Sequence, residues 1–196
     1  MSERPILDAR IKDHTGYGLL SVFTGDGRGK TTAALGTALR ALGAGKRVAI
    51  VYFDKGGDAH YSERRLLEEL GRTFPIEYHV SGRDRIDLKT GRFDFSILPV
   101  DKSEAQRGLA IARELFDRNE YDLVILDELN PTVSLGMLRE SAALELLASK
   151  PPALELILTG RDAPASFLKA AHLVTEMKLH KHYFYSGVKA REGVDY

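Results

Sequence analysis

Residues Gly18–Leu42, GLLSVFTGDGRGKTTAALGTALRAL, decide the reading of this chain. The apolar run Leu19–Phe23 predicts a buried strand. Thr24–Gly29 is a glycine-rich turn, and a helix is expected from Lys30 until Gly43. Gly25, Gly27 and Gly29 let the backbone curl so that several N–H groups point into one concavity. The helix that follows aims the positive end of its dipole, roughly half an elementary charge, at the same place. Lys30 adds a full positive charge, and the Thr31 hydroxyl is positioned as a ligand for a metal ion. Such a loop holds a polyphosphate. It departs in one respect from the usual Gly-x-x-x-x-Gly-Lys-Ser/Thr spacing, because Thr24 stands where the first glycine belongs and the loop is one residue tighter.

A second landmark lies at residues 121–129, YDLVILDEL. A buried strand over Leu123–Leu126 delivers Asp127 and Glu128 at its carboxyl end. Acids in that position, paired with a phosphate loop, serve a Mg²⁺ site. The strand Leu154–Thr159 ends in Gly160-Arg161-Asp162, and Arg161 there is a candidate for neutralising phosphate charge. The run Val48–Phe53 predicts a strand covered on both faces, ending in the loop Asp54–Gly57, which makes Lys55 a candidate contact at the ligand-binding edge of the sheet.

The remaining pattern alternates strand and helix. Strands are expected at Pro75–Val80 and Leu173–Leu179, and helices at Ser62–Leu70, Ser103–Arg118, Leu138–Ser149 and Pro164–Ala171. In the first of these helices, Leu66, Leu67 and Leu70 form the apolar face, and the pairs Arg64–Glu68 and Arg65–Glu69 read as a solvated one. The helix after the phosphate loop is apolar nearly all round and is expected to be buried. The alternation predicts an α/β fold: a single phosphate-loop NTPase-like (RecA-like) domain over 18–196, its sheet mostly parallel with helices on both faces, preceded by a polar arm over 1–17. Residues 81–101 have no clear period and read as a binding loop. Within it, Phe93 and Phe95 alternate with polar neighbours, as in a short edge strand with core-facing rings or as aromatic contacts to a ligand.

Composition narrows the function. The 196 residues suit one compact domain, with 43% hydrophobic and 29% charged residues. The formal net charge is zero, so no global field draws the chain to nucleic acid or to a membrane surface. The absence of cysteine excludes disulfides, thiolate metal sites and thiol nucleophiles. No apolar run approaches the roughly 18 residues of a membrane span. The charged N-terminal residues lack a signal-peptide core, and a cytoplasmic protein is expected.

Several segments together resemble one family, the phosphate-loop type of corrinoid adenosyltransferase, which acts on cob(I)yrinic acid a,c-diamide. The family's tight loop, T-G-N/D-G-K-G-K-T/S-T-A, is similar to Thr24–Ala33, with Arg28 in place of lysine. Its L-D-E is similar to Leu126–Glu128, its L-T-G-R to Leu158–Arg161 and its L-V-T-E-M to Leu173–Met177. Lys181-His182 and the tail Gly187–Tyr196 fit the family's carboxyl end. The resemblance implies that cobalt(I) of a reduced corrinoid, which includes cob(I)alamin, attacks C5′ of ATP and that triphosphate leaves whole. It implies that Gly25, Asp26, Gly27, Arg28, Gly29, Lys30, Thr31 and Thr32, together with Arg161, contact ATP. Thr31, Glu128 and Asp127 would hold Mg²⁺, with Lys30, Thr31 and Glu128 closest to catalysis. It further implies a homodimer, in which residues 1–17 cover the partner's site, and a reductase that supplies cobalt(I). Better-known members carry a Phe-x-Trp pair after the third strand. This chain has no tryptophan, and Phe93 and Phe95 stand as its corrinoid-side candidates. A phosphoryl-transferring ATPase or kinase, and a catalytically silent nucleotide-dependent regulator, are the alternatives that a phosphate loop also admits.

Overall fold

A computed structural model describes residues 7–57, 61–85 and 94–195. The strands are β1 (Leu20–Thr24), β2 (Val48–Tyr52), β3 (Ile76–Val80), β4 (Leu123–Asp127), β5 (Glu155–Thr159) and β6 (Leu173–Glu176). The helices are α1 (Lys30–Gly43), α2 (Ser62–Gly71), α3 (Pro99–Arg118), α4 (Leu129–Ser134), α5 (Glu140–Ala148) and α6 (Ala165–Ala170). The sheet runs β3-β2-β4-β5-β1-β6 and every pair is parallel.

Period-two alternation distributes the strand residues between two cores. Val48, Ile50 and Tyr52 of β2 pack with Ala34, Ala38 and Leu67 of α1 and α2. Ala49, Val51 and Phe53 face the other way, into a larger core with Leu109 and Leu115 of α3, Leu146 of α5 and Phe167 of α6. Helices therefore cover both faces, as parallel strands with no polar face require. At the end of β2, Gly108 of α3 admits the Phe53 ring and Ser81; a Cβ there would lie 2.5 Å from Ser81 Oγ.

The register places the chemistry. Val80 pairs with Tyr52, Tyr52 with Asp127, and Thr159 with Phe23. These residues form one row at the carboxyl edge, where loops leave the sheet.

Several expectations need correction. Helix α1 is buried on one side only: Leu39 is exposed while Ala34, Ala38 and Leu42 face the sheet. In α2, Leu66 is 58% exposed, whereas Arg64 is 4% exposed. Its guanidinium donates to the carbonyls of Gly57 and Lys55, which outweighs an exposed pair with Glu68. Helix α3 starts at Pro99, because the Asp101 carboxylate accepts the Leu98 N–H at 2.6 Å and proline suits the first turn. The short helix α4 had no sequence signal and separates β4 from α5.

His172, just before β6, accepts the Leu20 N–H on Nδ1 at 2.9 Å. Burial and then the nearby Arg10 lower its pKa below 6.5, so the folded chain favours the neutral ring. That contribution is complete above the unfolded value of about 6.5. It is lost as pH falls from there through the lower folded value. Urea unfolding between pH 7.5 and 5 is expected to show this loss. In His172→Asn, whose Oδ1 retains the acceptor, that part of the pH dependence should vanish.

Candidate active site

The phosphate loop sits between β1 and α1 and is packed against the residues that follow β6. Gly27 N donates to the Met177 carbonyl at 2.6 Å, and Met177 N donates to the Thr24 carbonyl at 2.8 Å. A Cβ on Gly25 or Gly27 would lie 2.6 or 2.5 Å from the Met177 oxygen. The glycines are thus demanded by a neighbouring backbone, and Gly25 and Gly29 also have positive φ, 93° and 114°. Lys30 is 8% exposed, and its ammonium donates to the carbonyls of Gly25 (2.7 Å) and Gly27 (2.8 Å). Burial pushes its pKa down, a tendency that Glu128 opposes and Arg161 reinforces. Thr31 is half-buried at the start of α1, while Asp26, Arg28 and Thr32 are exposed around the loop. The first N–H groups of α1 lack intrahelical partners by construction and face this concavity.

The carboxylates are held by the end of β5. Asp127 is fully buried; its Oδ1 accepts the Thr159 hydroxyl at 2.5 Å. The same hydroxyl accepts Glu128 N–H at 3.0 Å. Glu128 is in the left-handed region (φ 61°), and its carbonyl accepts the Thr132 hydroxyl at 2.7 Å. Burial raises the Glu128 pKa, against the pull of Lys55. Asn130 donates to the carbonyls of Phe23 (3.3 Å) and Gly160 (3.1 Å), tying the ends of β1 and β5 together. Thr159 is the site residue that sequence reasoning passed over. It was visible only as a letter in L-T-G-R, with no spacing to announce that it bridges two acids.

Lys55 joins these groups. Its ammonium pairs with Asp127 Oδ2 and lies 3.2 Å from Thr31 Oγ1 and 3.7 Å from Glu128 Oε1. Burial opposes its charge, but Asp127 and Glu128 prevail and hold it protonated above the usual lysine range. Its backbone is pinned: Lys55 N donates to the Ser81 carbonyl at 3.0 Å, and its own carbonyl accepts from Arg64. The Arg64 guanidinium lies 3.9 Å from the centre of the Tyr61 ring. The sequence marks Lys55 by its place on the ligand edge; nothing in the pattern of α2 marks Arg64.

Beyond β3, Phe93 lies outside the described residues. Phe95 is 83% exposed and belongs to no strand, which corrects its reading as a core-facing edge residue. The residues around it are held by charge. Arg85 donates to Asp54 Oδ1 (2.6 Å) and to the carbonyls of Asp94 (3.1 Å) and Ser96 (2.7 Å). Arg83 pairs with Asp94 and Asp101, both at 2.8 Å. This network anchors the segment on either side of Phe95, whose ring is left exposed. Arg161 is exposed just past β5. Arg28 reaches the carboxyl-terminal segment, with the Tyr183 hydroxyl at 3.2 Å and Asp195 Oδ1 at 3.4 Å.

The structure therefore gathers Lys30, Thr31, Asp127 and Glu128 at one point, with Lys55 among them. Asp26, Arg28, Thr32 and Arg161 lie around it. The site presents two carboxylates, a hydroxyl and two ammonium groups, beside the N–H groups of the first turn of α1.

Comparison with known proteins agrees with this geometry. Residues 16–196 match the family described as ATP:corrinoid adenosyltransferase BtuR/CobO/CobP. The corrinoid adenosyltransferase of Escherichia coli K12 is 36% identical over 192 residues, covering 97% of this chain and 92% of that protein. That of Pseudomonas aeruginosa is 35% identical over 182 residues, covering 91% and 84%. An uncharacterized Nostoc protein is 37% identical over 187 residues, covering 90% of this chain, which spans 48% of that protein's length. A tight phosphate loop, an Asp-Glu pair at the end of β4 and these matches make the chain a member of the ATP:corrinoid adenosyltransferase family.

Proposed function

We propose that this chain transfers the 5′-deoxyadenosyl group of ATP to cobalt(I) of a cob(I)yrinic acid a,c-diamide or cob(I)alamin substrate, releasing inorganic triphosphate. The observation that carries this reading is the convergence of Thr31 Oγ1, Asp127 Oδ2 and Glu128 Oε1 beside a glycine loop lined by Lys30. In the reaction the cobalt electron pair forms the bond to C5′, and the C5′–O pair departs with triphosphate. The leaving group gains negative charge in the transition state. The loop N–H groups, Lys30 and Arg161 therefore stabilise it more than they stabilise bound ATP. Cobalt(I) needs no general base, which agrees with two acids committed to a cation and to the Thr159 hydroxyl.

The three oxygens suit Mg²⁺, a hard cation that binds oxygen ligands and shares its shell with phosphate and water. Thr31, Asp127 and Glu128 would hold it, directly or through water. When bound, it would supply charge neutralisation at the departing triphosphate. Asp26, Arg28 and Thr32 would contact the nucleotide from around the loop. Phe95, outward beyond β3, together with Phe93, would serve the corrinoid side. We also propose that the protein acts in the cytoplasm as a homodimer whose arm, residues 1–17, reaches the partner's site ahead of the 18–196 domain, and that a reductase supplies cobalt(I). Among the described residues no helix is long and apolar enough to cross a membrane.

Incubation with ATP, Mg²⁺ and chemically reduced cobalamin or cobyrinic acid diamide should yield a light-sensitive cobalt–carbon product and one triphosphate per turnover. Release of ADP and phosphate instead would overturn the proposal. Lys30→Ala should lower kcat/KM by about 10²- to 10³-fold, the effect of removing one transition-state donor. Gly27→Ala places a methyl against the Met177 carbonyl. Calorimetry should show ATP affinity largely lost in that variant. Thr159→Val leaves Asp127 Oδ1 and the Glu128 N–H without their shared partner, and denaturant titration should show a loss of about 1–3 kcal/mol.

A further inference from the structure

We propose that the Lys55 ammonium is a tethered, exchangeable cation in the divalent-metal position: it neutralises Asp127 and Glu128 in the nucleotide-free chain and gives up that place to the divalent cation that enters with the triphosphate. The inference rests on the metal-site reading above and goes beyond it by naming the residue that competes for the site.

The geometry carries it. The three oxygens assigned to the cation are the three that surround Lys55 Nζ, at hydrogen-bonding distance from Thr31 and Asp127 and at 3.7 Å from Glu128. The Lys55 ammonium thus stands where a cation held by those three oxygens would stand. Asp127 is buried and Glu128 beside it is half-buried, and two ionised carboxylates so placed are costly without a counter-charge, which a cation between them supplies. Lys55 is built for the task. Its main chain is fixed by Ser81 and by Arg64, while its four-carbon stem has rotatable bonds through which the ammonium can be repositioned. Its ammonium also stands within 3.2 Å of Thr31, in the first turn of α1, where the outer phosphates of a nucleotide seated on the loop would lie. Displacement from the carboxylates thus delivers it to anionic oxygens rather than to bulk water. The arrangement makes the metal-free site refuse a free divalent cation and accept one together with polyphosphate, whose charge compensates both the metal and the displaced lysine.

The test uses the purified full chain and Mn²⁺ as the probe, followed by the loss of its free-ion electron paramagnetic resonance signal. Wild type should bind Mn²⁺ weakly without nucleotide. Lys55→Met should bind it about tenfold more tightly or better, given the strong coupling of close buried charge pairs, and Lys55→Arg should stay weak. Lys55→Met should also melt lower than wild type in EDTA and recover in Mn²⁺ alone, whereas Mn²⁺ alone should leave the wild-type midpoint unmoved. If Lys55→Met does not fold, ¹⁵N-lysine spectra of wild type decide. The slowly exchanging Lys55 ammonium signal should shift on addition of Mg²⁺ with a non-hydrolysable ATP analogue, and an unshifted signal overturns the proposal. Equal Mn²⁺ affinity in wild type and Lys55→Met, both binding, also overturns it. Failure of every variant to bind Mn²⁺, even with nucleotide, or Mn²⁺ binding that Glu128→Gln leaves unchanged, would instead remove the metal-site reading on which it stands.

Discussion

The contact between the Gly27 amide and the Met177 carbonyl, 2.6 Å long, is the constraint on which the site depends. It presses the phosphate loop against the residues that follow β6 so closely that no side chain fits at Gly25 or Gly27. A tight loop results, with the carbonyls of Gly25 and Gly27 turned toward the Lys30 ammonium. Lys30 can then reach back over the loop, and Thr31 is brought beside the acids at the end of β4. Each of these positions follows from the parallel pairing of β1 with β5 and β6, because a one-residue slip would reverse every side chain on the strand.

Around that loop the carboxyl edge concentrates charge that would be unstable elsewhere. Asp127 and Glu128 are kept apart in role by a single hydroxyl, that of Thr159, which donates to one and accepts from the amide of the other. Asp54, Glu128 and Asp162 all take positive φ at strand ends, a conformation that costs a non-glycine residue about 1–2 kcal/mol. Strain of this kind gathers where a protein aims side chains at a ligand.

Much of this was legible in the sequence. Glycines, Lys30 and Thr31 form a local pattern, and β4 announces itself by an apolar run that ends in acids. The central strands β2 and β4 are legible because both their faces are buried, so β2 is apolar throughout and β4 is apolar up to Asp127. What could not be read was set by contacts between distant segments. Arg64 lies on a helix face whose charge pattern looks solvated, yet a neighbouring loop supplies two carbonyls. Phe95 alternates as a strand residue would, but Arg83 and Arg85 hold its neighbours Asp94 and Ser96 in a network of carboxylates and carbonyls. Helix α4 is too short to show a period. The likeness of Leu158–Arg161 to a family motif pointed at Arg161, whereas the geometry also gives Thr159 a part in holding the acids.

The seal between Gly27 and Met177 joins the first strand of the sheet to the last. A chain that emerges from the ribosome amino end first exposes its glycine loop long before the carbonyl that closes it has been made. A molecule interrupted before β6 would carry the loop's residues without the carbonyl that packs against them.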